Sequence, residues 1–198
     1  MIEPDDSTPC ALKLAEMIVH IGRAARGEDC GGAAGMTAAQ WSALRYFARA
    51  NRASRTPSAF AEFQATTRGT ASQTIKTLTA RGLLVGRRAE HDRRSMQFDL
   101  TEEGCALMAQ DPLRHLTMAI DRLAPLDQAT LSRLLPDLAV ALARERGAHA
   151  FGTCDKCDHY QDRDKGGYCA CVAMQLAPFE IGQLCMRYAP KPEDEAAA

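Results

Sequence analysis

The succession of hydrophobic periods between residues 37 and 100 constrains the fold more than any other feature of this chain. Trp41, Leu44 and Phe47 recur at helical spacing behind Thr37, whose hydroxyl suits a helix N-cap. Thr56 and Pro57 open a short helix, SAFAEFQ, with proline in the first turn, where its missing N–H does no harm. Arg68 and Gly69 predict a break, and Thr70 is placed to cap a further helix, ASQTIKTLTAR. That helix has Ala71, Ile75 and Leu78 inward and ends at Gly82. The period then shifts from 3.6 to 2. Leu83, Leu84 and Val85, then residues 95–100, read as two strands around the charged loop 86–94.

Helix, tight break, helix and basic hairpin make the order of a winged helix-turn-helix. In that design the second helix of the pair enters the DNA major groove and its N-terminal side chains reach base edges. The flanks are helical. Leu14, Met17, Ile18, Ile21 and Ala25 predict a helix over 10–26, followed by a loop at 27–35. From Thr101, Cys105, Leu107, Met108, Leu113, Leu116, Ile120 and Leu123 predict one helix adjusted at Pro112, with Cys105 in the core. A second long helix over 127–146 is expected to bury Leu131, Leu134, Leu135, Leu138 and Leu142, with Pro136 as its kink point.

Net charge conceals the polarity of this plan. The 198-residue chain carries −1 in total, yet residues 41–100 hold eleven basic groups against four acidic ones, between acidic flanks. Such asymmetry suits a nucleic-acid binder. On the second helix of the pair, Ser72, Gln73, Lys76 and Thr77 point outward, and Thr70 stands at its start. Gln pairs bidentately with adenine, Ser and Thr reach several base edges, and Lys76 suits a phosphate. The wing offers Arg87, Arg88, Arg93 and Arg94 to the narrow, electronegative minor groove. Asp92 beside them reads as a brace that pairs with one arginine.

Residues 69–108 resemble the core of a MarR-family transcriptional regulator, through ARGLL closing the recognition helix, DRRS at the wing tip and LTEEG opening the next helix. The resemblance extends over 10–147. It implies a homodimer built from the first helix and the last two long ones, acting on a pseudo-palindromic duplex, usually as a repressor. It also implies that Asp92 braces Arg93 or Arg94 in the minor groove. Family members often bind a small-molecule effector, and no residue here identifies one. The expected fold class is mainly α with a small β-hairpin. The expected units are an N-terminal dimerisation helix and loop (1–36), the winged helix-turn-helix (37–100), C-terminal dimerisation helices (101–147), a cysteine-rich metal module (148–190) and a disordered tail (191–198).

Five of the eight cysteines fall between 154 and 185. Cys154, Cys157, Cys169 and Cys185 form C-x2-C-x11-C-x15-C, enough thiolates for a tetrahedral zinc ion or one iron–sulfur cluster. Cys171 is an alternative to Cys169, and His159 an alternative ligand in a zinc site. Tyr160 and Tyr188, each three residues after a cysteine, make the segment similar to the cluster-binding part of high-potential iron–sulfur proteins. That resemblance places an iron–sulfur cluster ahead of zinc. The segment holds too little apolar material to fold unaided, and metal binding would supply the missing free energy. Cys10 and Cys30 read as incidental.

The sequence shows no H-E-x-x-H, no Gly-rich nucleotide loop and no nucleophile set, so no enzyme is expected. No apolar run reaches membrane-spanning length, and the acidic start MIEPDDSTPC lacks a signal-peptide pattern, so a cytoplasmic protein is expected. Two other readings stay open: an iron–sulfur redox protein, and a zinc-stabilised protein-interaction module without DNA binding.

Overall fold

A computed structural model describes residues 10–25, 35–88, 96–163 and 166–191. Its first helices are α1 (Cys10–Ala24), α2 (Ala38–Arg49), α3 (Pro57–Phe63) and α4 (Arg68–Ala80). Strands β1 (Leu84–Arg88) and β2 (Met96–Leu100) follow, then α5 (Glu102–Leu107), α6 (Arg114–Asp121) and α7 (Pro125–Glu145). The C-terminal module contains β3 (Tyr160–Arg163), β4 (Gly166–Cys169), β5 (Met174–Leu176) and α8 (Pro178–Ile181). Among the described residues, no helix is long and apolar enough to cross a membrane.

Local chemistry accounts for most boundaries. Thr37 and Gln40 form a reciprocal capping box at the start of α2, and Thr56 caps α3 ahead of Pro57. The break between α3 and α4 differs from expectation. It lies at residues 64–66, where Ala65 adopts a positive φ of 49°, and Arg68 and Gly69 already belong to α4. Thr67, not Thr70, is the cap: its Oγ1 accepts the Thr70 N–H at 3.1 Å. Thr67 alone has the extended backbone a cap needs, and Thr70 sits at the third helical position. Gly82, at φ 72°, turns the chain out of α4 into β1.

The core lies under α2, α3, α4 and the hairpin. Tyr46, Phe47 and Phe60 are fully buried with Leu44, Leu78 and Leu84. Their rings meet at centroid distances of 5.3 to 5.6 Å. Burial of each such side chain stabilises the fold by about 1.5–3 kcal/mol. The hairpin is antiparallel, with Leu84 opposite Leu100 and Arg88 opposite Met96. β1 therefore takes in Arg87 and Arg88, which sequence reading placed in the loop.

The single helix expected after Thr101 is three pieces: α5, a 3-10 turn at Met108–Gln110, and α6. Asp111 precedes Pro112 and is driven to an extended ψ of 125°, since a residue before proline is disfavoured in the helical region. Asp111 then accepts the Leu113 N–H at 2.8 Å and pairs with Arg45 of α2 at 2.7 Å. Cys105 is exposed, not in the core. Gly104 takes the inward position of α5, where a Cβ would collide with the Leu83 carbonyl oxygen, and this turns Cys105 outward.

The leucines of α7 are also not buried within the chain: Leu134, Leu135, Leu138 and Leu142 are all exposed. The same holds on α1 for Leu14, Met17, Ile18 and Ile21. Helical period identifies an apolar stripe but not its partner, and among the described residues neither stripe is covered.

The C-terminal module contains a three-stranded antiparallel sheet in the order β3-β4-β5, which the sequence reading did not anticipate. Its strands are three or four residues long, too short to reveal a period.

Candidate nucleic-acid interface and cysteine module

Helix α4 is anchored by Ala71, Ile75 and Leu78 and presents its other face to solvent. Arg68, Thr70, Ser72, Gln73 and Lys76 are exposed, and Thr77 is half-buried. Two hydroxyls are engaged locally. Thr77 Oγ1 donates to the Gln73 carbonyl at 2.9 Å, and Thr70 Oγ1 lies 2.9 Å from Thr67 Oγ1. Ser72, Gln73 and Lys76 are therefore the side chains best placed to reach outward. An open groove of about 440 Å³ runs between the start of α2 and this face, lined by Thr37, Gln40, Thr70, Gln73 and Thr77.

Arg87 and Arg88 lie on β1, beside α4, and both are exposed. Asp92, Arg93 and Arg94 lie outside the described residues. A carboxylate brace does exist on the hairpin, at a residue the sequence reading missed. Asp99 of β2 accepts Arg55 Nη1 on Oδ1 and Arg87 Nε on Oδ2, both at 2.5 Å. Asp99 stands opposite Val85, so Arg87 is its diagonal cross-strand neighbour. The alternation of β2 placed Asp99 on the polar face and was the available signal. Among the described residues, Arg45, Arg52, Arg55 and Arg87 are thus committed to ion pairs within the fold.

The cysteine module gathers four of its five thiols. Cys154 and Cys157 flank a tight turn closed by the Cys157 N–H to the Cys154 carbonyl at 3.0 Å. Cys169 ends β4 opposite Tyr160 of β3. Cys185 returns on the closing segment, its N–H donating to the Gly152 carbonyl at 2.8 Å. Cys154, Cys157 and Cys185 are buried, Cys169 is half-buried and Cys171 is exposed. Burial pushes the Cys154 thiol up to about 12, and the neighbouring Cys185, Cys169 and Cys157 add to the rise. Cys185 is also raised, chiefly by burial, against the pull of two donors. These are the Arg187 backbone N–H, 3.3 Å from its Sγ, and the Asn51 side chain. Tyr188 lies against Gly152, where a Cβ would stand 2.7 Å from the ring, and Tyr160 lies against Gly167 in the same way. Among the described residues, no three His, Cys, Asp or Glu side chains stand in the geometry that holds a metal ion.

The module docks on the winged-helix unit. Leu184 exchanges backbone hydrogen bonds with Arg49 and Asn51, at 2.8 and 2.9 Å. The Met186 N–H donates to Ser54 Oγ at 2.9 Å, and Ser54 in turn accepts the buried Tyr46 hydroxyl on its carbonyl at 2.6 Å. Arg52 Nε pairs with the buried Glu180 at 3.0 Å. Phe151, Leu184 and Met186 pack on the main core, and Phe151 meets Phe63 edge-on at 5.2 Å. The same 49–55 segment also carries the hairpin. Gln97 Nε2 donates to the Arg52 carbonyl and the Phe98 N–H to the Arg55 carbonyl, both at 2.9 Å.

Comparison with known proteins places this geometry. Residues 34–95 match the model of the MarR family. No curated protein matches the chain. The transcriptional regulator SlyA superposes with a TM-score of 0.54 at 17% identity, covering 67% of this chain and 95% of its own. FabT of Streptococcus pneumoniae, solved in complex with DNA, gives 0.52 at 19% identity, over 68% of this chain and 99% of its own. BldR of Sulfolobus solfataricus gives 0.51 at 22% identity, over 68% and 95%. At such identities the likeness is one of fold: a winged helix with flanking helices. About a third of the present chain lies outside each superposition.

Proposed function

We propose that this chain is a MarR-type, DNA-binding transcriptional regulator that acts as a homodimeric repressor on a pseudo-palindromic duplex. The observation that carries the reading is the outward face of α4, with Ser72, Gln73 and Lys76 exposed beside a basic hairpin. A helix in the major groove reads bases with such side chains, while arginines of a wing approach the adjacent minor groove. It is a binding function and not a catalytic one.

The exposed apolar stripes of α1 and α7 support the dimer. They leave Leu14, Ile18, Leu135 and Leu138 in solvent unless a second copy covers them. Responsiveness to a metal or to oxidation, through Cys154, Cys157, Cys169 and Cys185, is the finer part of the reading and is developed below. The test is selection of a duplex from a random pool by the purified full chain, followed by titration over salt. Steep weakening with salt and a palindromic consensus are expected. Binding that shows no sequence preference would sink the proposal.

A further inference from the structure

The buried side chains of the C-terminal module set a problem of their own. Among the described residues from 150 onward they are Cys154, Cys157, Leu176, Glu180 and Cys185. Three of the five are thiols, one is a carboxylate and only one is aliphatic. A unit of some forty residues with such an interior lacks the apolar core that folds a small domain, and needs a staple. The five cysteines of the module are free thiols, so disulfides do not provide it.

The fold brings these thiols together, with Cys154 near Cys157, Cys169 and Cys185. Cys185 Sγ receives the Arg187 N–H at 3.3 Å and the Asn51 side chain, outer partners that fix its position. Tyr160 and Tyr188 pack against Gly167 and Gly152, where no larger residue fits, and so bring aromatic rings to the cysteine-bearing segments. Cys171, on the exposed turn after β4, stands outside the group.

We infer that Cys154, Cys157, Cys169 and Cys185 are the thiolate ligands of one soft-metal centre, a zinc ion or an iron–sulfur cluster, whose occupancy sets the affinity of the winged helix for DNA. The second half of this statement rests on the DNA-binding reading above. On binding, each thiol releases its proton to solvent as its sulfur–metal bond forms. The four sulfurs must close on the centre, since they are neighbours without yet standing in metal-holding geometry.

The route to DNA is short. Cys185 is flanked by Leu184, bonded to Arg49 and Asn51, and by Met186, bonded to Ser54. Asn51 touches the Cys185 thiol and also accepts the Ser54 N–H at 3.0 Å. The same 49–55 segment leads into α3 and suspends β2 through Gln97 and Phe98. A closed centre holds this segment, and with it the placement of the wing relative to α4. An open one releases it.

The experiment is purification of the full chain without oxygen, with measurement of zinc, iron, sulfide and visible absorption. One zinc per chain, or iron and sulfide in cluster proportion, supports the centre and tells the two sources apart. Protein carrying neither, or carrying disulfides between these cysteines, overturns it. Cys171→Ser should keep the full metal content, and Cys154→Ser should lose it. Stripping the metal with a chelator should weaken binding to the selected duplex about tenfold. It should also speed amide exchange in residues 50–55 and 96–100, a readout that stands even if no duplex is selected. Unchanged exchange there after stripping, or unchanged DNA affinity, overturns the coupling. Absence of any selected duplex, with metal and exchange behaving as expected, counts against the DNA reading alone.

Discussion

Arg52 and Glu180 are 128 positions apart in sequence and 3.0 Å apart in space, and their ion pair ties the start of the helix-turn-helix to the cysteine module. The two ends are unequal. The Glu180 side chain is 6% exposed and that of Arg52 is 55% exposed. Removal of Arg52 leaves the buried carboxylate without its countercharge, held by the Ala177 N–H at 2.9 Å, whereas neutralisation of Glu180 releases an arginine into water. Arg52→Ala should therefore destabilise the chain by about 2–3 kcal/mol and Glu180→Gln by about 1 kcal/mol, after allowance for the screening of an exposed partner. The double variant should be no less stable than Arg52→Ala alone. Urea unfolding of the four proteins checks the cycle, and simple additivity would show that the pair is not coupled.

On the exposed face of α4, Gln73 and Lys76 should fail in different ways. Gln73→Ala should cost about 1–3 kcal/mol on the preferred duplex and relax preference at one base pair. Lys76→Ala should weaken all duplexes alike and reduce the salt slope by about 1. Titrations on preferred and scrambled duplexes at several salt concentrations separate the two. Equal effects of both variants on all sequences would remove Gln73 from base reading.

Asp99 holds Arg55 and Arg87 at once, one on each carboxylate oxygen. Asp99→Asn keeps the shape and removes the charge. It should destabilise the chain by about 1–3 kcal/mol, since hydrogen bonds to charged groups are the stronger kind. It should also narrow the ratio of specific to non-specific DNA affinity, because the wing loses its tie to residue 55 while gaining net positive charge. Retained stability together with an unchanged ratio would show that the brace is dispensable.

The thiols should divide by exposure. In reduced, metal-free protein, Cys10, Cys105 and Cys171 should alkylate quickly at mild pH, and Cys154, Cys157 and Cys185 slowly. Burial raises the Cys154 thiol from 9.0 to about 12, so the folded state keeps a proton that the unfolded state has lost. Its contribution to stability is complete below pH 9 and falls away as pH rises towards 12. Denaturation midpoints across this range should decline in metal-free protein. A flat profile would mean that Cys154 does not feel its burial.

For the dimer, Leu135→Glu with Leu138→Glu should shift the chain from dimer to monomer in sedimentation. Each of these leucines is about half exposed in the single chain, so the loss should appear in association and not in the folding of the core. A wild-type protein that sediments as a monomer at micromolar concentration would refute the role given to α7.

Much of this molecule is local in origin and was legible in the residues. Thr37, Thr56 and Gly82 mark element ends with their own side chains or backbone freedom, and the change of period after Gly82 separates helix from hairpin. Positions 71, 75 and 78 of α4 face inward because a period of 3.6 puts them on one stripe, and the exposure of Ser72, Gln73 and Lys76 follows from the same geometry. What only the tertiary structure decided was the identity of partners. Asp99 displays its polarity in sequence but not its choice of Arg55 and Arg87. The stripe of α7 is apolar in sequence, yet nothing local says that it finds no cover among the described residues of one chain. The cysteine spacing announces a module, and only the folded chain sets Leu184 and Met186 on the 49–55 segment, between the thiols and the wing. Periodicity and capping are interactions within a few residues, whereas burial and ion pairing depend on which distant surface arrives.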